Sequence, residues 1–217
     1  MQDKFHFLWG LPILITKINS NSYDKKNILE DIEKNYNNSN IRNKWSNSFY
    51  QTNIHHSHSD KNSSFKEINY SSLKNCYDHC IQKYFNHCGF TKKFNYSYEF
   101  VNYTCTDRDS LMEPHIHSSC EFSMVHYCQF DKKEHLPTIF ISPYIFSDYW
   151  NSKKMINLLD KSNTNESWLF SEWKHDIEED DVIIYPSILK HFLRNIKSNK
   201  KRITIATNIY ISEEHLY

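Results

Sequence analysis

The chain has 217 residues and balances 26 Lys and Arg against 26 Asp and Glu, a formal net charge of zero. That balance argues against nucleic acid or an anionic membrane as a bulk electrostatic partner, and no apolar run approaches the roughly 20 residues that cross a bilayer. The length suits a single domain over 1–217, with an N-terminal strand and supporting helices in 1–93 and the main β core in 94–217.

The opening MQDKFHFLWGLPILI places Asp3 and His6 before a short apolar run, with no small-residue cleavage site after it. It reads as a strand over 5–18, not as a signal peptide. Without an export signal, the six cysteines at 76, 80, 88, 105, 120 and 128 suit a reducing cytoplasm, where they pack as small hydrophobes. Asp24 is placed to cap a helix over Lys25–Tyr36, with Ile28, Leu29 and Ile32 at helical spacing. Residues 37–65 are polar and rich in Asn, Ser and His, a long loop anchored by Trp45 and Phe49. A second helix spans about Tyr70–Cys88, its stripe formed by Leu73, Cys76, Tyr77, Cys80, Ile81 and Tyr84. From Phe94 the period changes to strands at 95–105, 115–130, 137–142, 181–186 and 202–211. Between them, 143–176 is an aromatic excursion suited to a lid, with Tyr144, Phe146, Tyr149, Trp150, Trp168, Phe170 and Trp173. Helices first and many strands after them predict a mainly β sandwich or barrel with helices on one face.

The chemistry sits between His115 and Asn208. Residues i and i+2 on a strand share a face, so His115 and His117 can reach one ion, and Glu113 shares that face. The distant His191 follows the strand Val182-Ile183-Ile184-Tyr185, which is expected to lie beside the pair. Three protein donors on one side of a metal leave the other positions open for small ligands, and imidazole suits Fe(II). Thirteen histidines make a chance H-x-H common; the Pro186-Ser187 before His191 and the Arg202 after it carry the signal.

Other clusters read as structure. Cys76, Cys80 and Cys88, with His79 and His87, have zinc-like spacing but fall on the apolar stripe of a helix. The H-H-S-H run at 55–58 lies in a polar loop, and I-E-E-D-D at 177–181 reads as a charged turn. Met112, Phe122, Met124 and Phe130 are expected to pack between sheets. No phosphate-binding, dinucleotide or serine-hydrolase motif is present.

Four segments carry a family resemblance: P-H-I-H-S-S-C-E-F-S-M-V-H-Y (114–127), F-I-S-P (140–143), D-V-I-I-Y-P-S-I-L-K-H (181–191) and R-I-T-I-A-T-N-I (202–209). Together they make residues 99–211 similar to the Fe(II)/2-oxoglutarate-dependent oxygenases, especially the prolyl-hydroxylase-like branch of phages and marine bacteria. The resemblance implies a double-stranded β-helix (jelly roll) and a dioxygenase that uses Fe(II), 2-oxoglutarate and O₂ to hydroxylate an unactivated C–H bond. A prolyl residue in a peptide is the first substrate it suggests, with small molecules open. The location it suggests is cytoplasmic, or the host cytoplasm if the chain is viral. His115 and His191 become iron ligands, and Arg202 pairs with the 5-carboxylate of 2-oxoglutarate through its planar fork. Thr204 and Tyr127 stand as further donors to the cosubstrate. The chain departs from the family at His117, where an Asp or Glu is usual. Either His117 ligates, or Glu121 or Glu113 completes the triad, or the site is degenerate. The rival reading is a catalytically inactive jelly-roll module with a binding or viral structural role. A cupin-like enzyme using three histidines alone would not need Arg202.

Overall fold

The computed structural model describes residues 3–8, 10–38, 55–56, 66–90, 94–106, 108, 110–143, 171–194 and 197–212. The apolar start is a hairpin and not one strand: β1 (Lys4–Leu8) turns back into β2 (Leu11–Lys17), with Leu8 opposite Leu11. Gly10 makes the reversal, at φ 79°, a backbone region that a side chain disfavours. Helix α1 (Lys25–Asn38) follows, and the helix α2 (Lys74–His87) begins after a short 3-10 turn.

Two antiparallel sheets make the rest. The larger contains β3 (His55–His56), β4 (Asn95–Thr106), β6 (Phe122–Gln129), β9 (Asp181–Pro186) and β11 (Arg202–Ser212), in the order β1-β2-β9-β6-β11-β4-β3. The smaller is β5 (Met112–His115), β10 (His191–Leu193), β7 (Ile139–Ile141) and β8 (Glu172–Lys174), in the order β5-β10-β7-β8. This is the jelly roll. The N-terminal hairpin and β3 belong to the same large sheet as the strands after residue 94.

The two faces of β11 explain the layering. Ile203, Ile205 and Ile209 are fully buried toward the helices, against Ile28, Ile32, Tyr77, Cys80, Ile81 and Tyr84. Burying each large apolar side chain contributes roughly 1.5–3 kcal/mol. The alternate residues Arg202, Thr204 and Ala206 line a pocket on the other face. In β4, Ala206 pairs with Asn102 and Thr207 with Phe100, which leaves Val101 as a bulge. The bulge switches parity. Tyr96, Tyr98 and Phe100 face the helices before it, as Tyr103 and Cys105 do after it, so Asn102 and Thr104 fall on the pocket side. A second apolar cluster, with Leu8, Ile13, Tyr127, Phe140, Ile183 and Tyr185, fills the space between the sheets.

Several expectations change in the folded chain. The expected strand over 115–130 is two strands in different sheets, β5 and β6, broken over 116–121. Phe122 and Met124 pack toward the helices and not between the sheets. Cys76 is only half-buried, its Sγ 3.2 Å from Ser22 Oγ, and Phe85 joins the helical stripe in its place. The charged turn at 177–181 hides two of its acids. Asp180 (φ 66°) accepts from Tyr23 Oη at 2.5 Å and Lys25 Nζ at 2.7 Å, and its carboxylate lies 3.6 Å from His126 Nε2. Tyr77 Oη is 3.0 Å from His126 Nδ1, so this network ties both helical segments to the large sheet. Trp45, Phe49, His58 and the excursion over 144–170, with Trp150 and Trp168, lie outside the described residues.

Candidate metal centre

The smaller sheet brings the histidines together. β10 lies directly beside β5 with His191 opposite His115, so the strand next to the H-x-H segment is β10 and not β9, which pairs with β2 and β6. His117 follows the end of β5. Its N–H donates to the Ser187 carbonyl at 3.0 Å, and the Ser187 hydroxyl in turn donates to the Cys120 carbonyl. The Pro186-Ser187 turn thus holds the second half of the pair against the approach to the third histidine.

One donor atom from each of His115, His117 and His191 lies within 4.8 Å of the others, the only group of three metal-binding side chains among the described residues. Ring centroids are 4.3 Å apart for His115 and His191, 5.2 Å for His117 and His191, and 5.5 Å for His115 and His117. The group includes neither Glu113 nor Glu121. Glu121 is exposed and its carboxylate accepts from Ile211 N at 2.9 Å, at the far end of β11. Glu113 contributes its backbone carbonyl, to His115. The Cys76, Cys80, Cys88, His79 and His87 set forms no such group.

Hydrogen bonds choose the tautomer. His115 Nδ1 donates to Glu113 O at 2.8 Å, His191 Nδ1 to Leu189 O at 3.0 Å, and His117 Nδ1 to Asn208 Oδ1 at 3.1 Å. A carbonyl only accepts, so Nδ1 holds the proton and Nε2 carries the lone pair a metal needs. Burial keeps all three rings neutral. It lowers His115 and His117, and pushes His191 down to about 3, with the nearby His115 adding to the shift. Tyr185 Oη lies 3.2 Å from His191 Nε2 and is its donor without metal.

A cavity of about 380 Å³ opens beside these rings, lined also by Asn102, Thr104, Met112, Val125, Thr138, Arg202 and Thr204. Among the described residues that line it, Arg202 alone has a fixed charge. It is 3% exposed, its Nε has no partner, and none of the ion pairs among the described residues involves it. Burial works against that charge and the Tyr127 ring, 5.2 Å from Cζ, favours it. An unpaired buried guanidinium is costly, so the cavity fits an anion with a planar carboxylate. Thr204 Oγ1 is 3.5 Å from Arg202 Nη1 and 2.7 Å from Thr104 Oγ1. Tyr127 is placed differently from the expected donor. Its hydroxyl donates to Thr138 Oγ1 at 2.9 Å and accepts from Thr138 N, and its ring lies beside Arg202. Sequence spacing had no means of finding Asn208, Tyr185, Thr104 or Thr138, because each meets the site only through the sheet pairing.

The fold and pocket define a jelly-roll protein with a three-histidine candidate metal centre beside a buried arginine. Residues 103–208 match the family described as "Putative 2OG-Fe(II) oxygenase". No curated protein matches by sequence. A prolyl hydroxylase from Trichoplax adhaerens, solved with a hypoxia-inducible-factor peptide fragment, shares 11% identity over 91% of this chain and 83% of its own, at a TM-score of 0.51. An oxidoreductase of the 2OG-Fe(II) oxygenase family from Burkholderia pseudomallei shares 12% identity at a TM-score of 0.42, and the match spans 67% of this chain and 61% of that one. HygX from Streptomyces hygroscopicus, solved with nickel and 2-oxoglutarate, shares 7% identity over 91% of this chain and 82% of its own, at 0.46. Over residues 103–208 the chain is thus similar to the Fe(II)/2-oxoglutarate-dependent oxygenases.

Proposed function

We propose that the chain is a dioxygenase that hydroxylates an unactivated C–H bond, with iron held by His115, His117 and His191. The observation that carries this is the convergence of one donor atom from each of three histidines beside a buried arginine that has no acidic partner among the described residues. When bound, iron and 2-oxoglutarate together supply the oxidising power that puts one atom of O₂ into substrate, with succinate and CO₂ as co-products. Arg202 grips the 5-carboxylate with its fork, which orients the cosubstrate's other end toward the histidines. Thr204 adds a hydroxyl beside it, held by Thr104. Tyr127 and Thr138 hold the guanidinium's wall rigid.

The rest of the cavity speaks to substrate. Once Arg202 is engaged, the described residues of its walls offer Met112, Ile116, Val125, Phe192 and Leu193 and no further fixed charge. Ile188 adds an exposed apolar side chain, 67% accessible, in the turn between Ser187 and His191. An uncharged apolar group fits such walls, and a prolyl residue within a peptide is the first to test. Incubation with Fe(II), 2-oxoglutarate, a reductant and proline-containing peptides should give succinate and one added oxygen in the peptide. If succinate forms at the same rate with His191→Ala, the assigned centre is not the source of the chemistry. If succinate forms but no peptide gains oxygen, the prolyl assignment fails and the oxygenase assignment stands.

A further inference from the structure

We propose that Asn208 is a positioning residue of the metal centre, whose amide oxygen fixes the His117 ring so that Nε2 faces the ion. This rests on the reading that His117 is the third ligand. His115 and His191 are each steered by a backbone carbonyl two residues earlier, Glu113 and Leu189. His117 lies past the end of β5, and its Nδ1 partner comes from β11, 91 residues away. Asn208 is 5% exposed, so the bond is shielded from competing water. It also lies three two-residue steps after Arg202 on the pocket side of β11. One strand therefore carries both the guanidinium that awaits the cosubstrate and the amide that orients the third ligand.

The chemistry explains why such a residue belongs here. A carboxylate at 117 would present equivalent oxygens and need no tautomer set. An imidazole has two unlike nitrogens and a free ring rotation, and one fixed acceptor on Nδ1 settles both while making Nε2 a better donor. An amide oxygen does this without adding a negative charge to the site. The replacement of the family's carboxylate by His117 and the amide at 208 thus form one functional unit.

The test measures anaerobic Fe(II) binding, and Co(II) binding by its ligand-field absorption, on the full chain and its variants. Asn208→Leu should weaken both metals about 10–100-fold, the range for lost outer partners of ligating histidines, and change the Co(II) spectrum. Asn208→Asp keeps an oxygen at the same reach and should match or exceed the wild-type affinity. In a His117→Ala background, Asn208→Leu should cost nothing more, because its effect passes through that ring. Wild-type affinity in Asn208→Leu overturns the inference, as does an equal loss in Asn208→Asp or an additive loss in the double variant. If His117→Ala leaves affinity and spectrum unchanged, the three-histidine reading itself fails. If His117→Ala weakens the metal and Asn208→Leu does not, only the role of Asn208 falls. Should Asn208→Leu not fold, Asn208→Ala against Asn208→Asp carries the same comparison.

Discussion

Arg202 makes the heaviest chemical demand in the pocket, because its charge is buried with an orphaned Nε and, among the described residues, no acidic partner to balance it. Lysine would keep the charge but lose the fork. Arg202→Lys should weaken 2-oxoglutarate binding by about 1–3 kcal/mol, the range for charge-assisted hydrogen bonds, measured by calorimetry on the metal-loaded protein. Unchanged affinity removes Arg202 from the site. The His115 and His117 pair was legible from strand alternation, whereas His191 and Arg202 stood out through the family resemblance. Asn208 was not, although it stood in plain view in R-I-T-I-A-T-N, since its partner is 91 residues distant and nothing local marks an Asn in a strand as a hydrogen-bond acceptor. The charged turn at 177–181 was legible, but the burial of Asp180 within it was not. A run of four acids looks solvated by composition alone, and only the partners Tyr23, Lys25 and His126 reveal a buried one.

Among the elements, the long strands β4 and β11 announced themselves, and of the three-residue strands only β7, within the expected 137–142, did. β11 spans 11 residues of alternating β-branched character, and its two faces could be assigned from the sequence. β10 and β8 have three residues each, too few for a period to show, and β10 is the strand that delivers His191. The bulge at Val101 was equally hidden, because a parity switch needs the partner strand to become visible. The turn before β9 is the element that joins helices to sheet, and its stability is testable. Asp180→Asn suits the same backbone, since Asn tolerates positive φ, but removes the charge facing Lys25. Lys25 keeps Glu179 as a partner and is partly exposed, so the cost falls somewhat below that of a broken buried pair, at about 2–4 kcal/mol. Denaturant unfolding should show it as a lower midpoint with an unchanged slope. Burial raises the Asp180 carboxyl, but His126, Lys25 and Tyr23 outweigh it and the net shift is downward. Its stabilising contribution is therefore present above its ordinary value of 3.8 and is lost as pH falls through the lower folded value. A variant as stable as wild type near neutrality would show that the network does not anchor the helices.

At the scale of the molecule, the helices pack on one face of the large sheet, Arg202 lines its other face, and His115 and His191 come from the smaller sheet. His115, His117, His126, His135, His175 and His191 are all held below their ordinary value, mainly by burial, with His175 and His191 down to about 3. The unfolded chain takes up protons below about pH 6.5 that the folded chain refuses. Each such group then withdraws about 1.4 kcal/mol per pH unit until its folded value is reached. Apo-protein stability should decline steadily from about pH 6.5 downward; a flat melting profile between pH 6.5 and 4.5 would contradict the burial of these rings. Bound metal should oppose the decline, since it occupies the Nε2 lone pairs that protons would take. The central claim is that three histidines and Arg202 together hold iron and 2-oxoglutarate. Anaerobic titration of the protein with Fe(II) and then 2-oxoglutarate, followed by visible absorption, tests it most directly. A metal-to-ligand charge-transfer band that saturates with 2-oxoglutarate in wild type, and is lost in His191→Ala, is the result expected. No band in wild type, or a band that survives in His191→Ala, would contradict it.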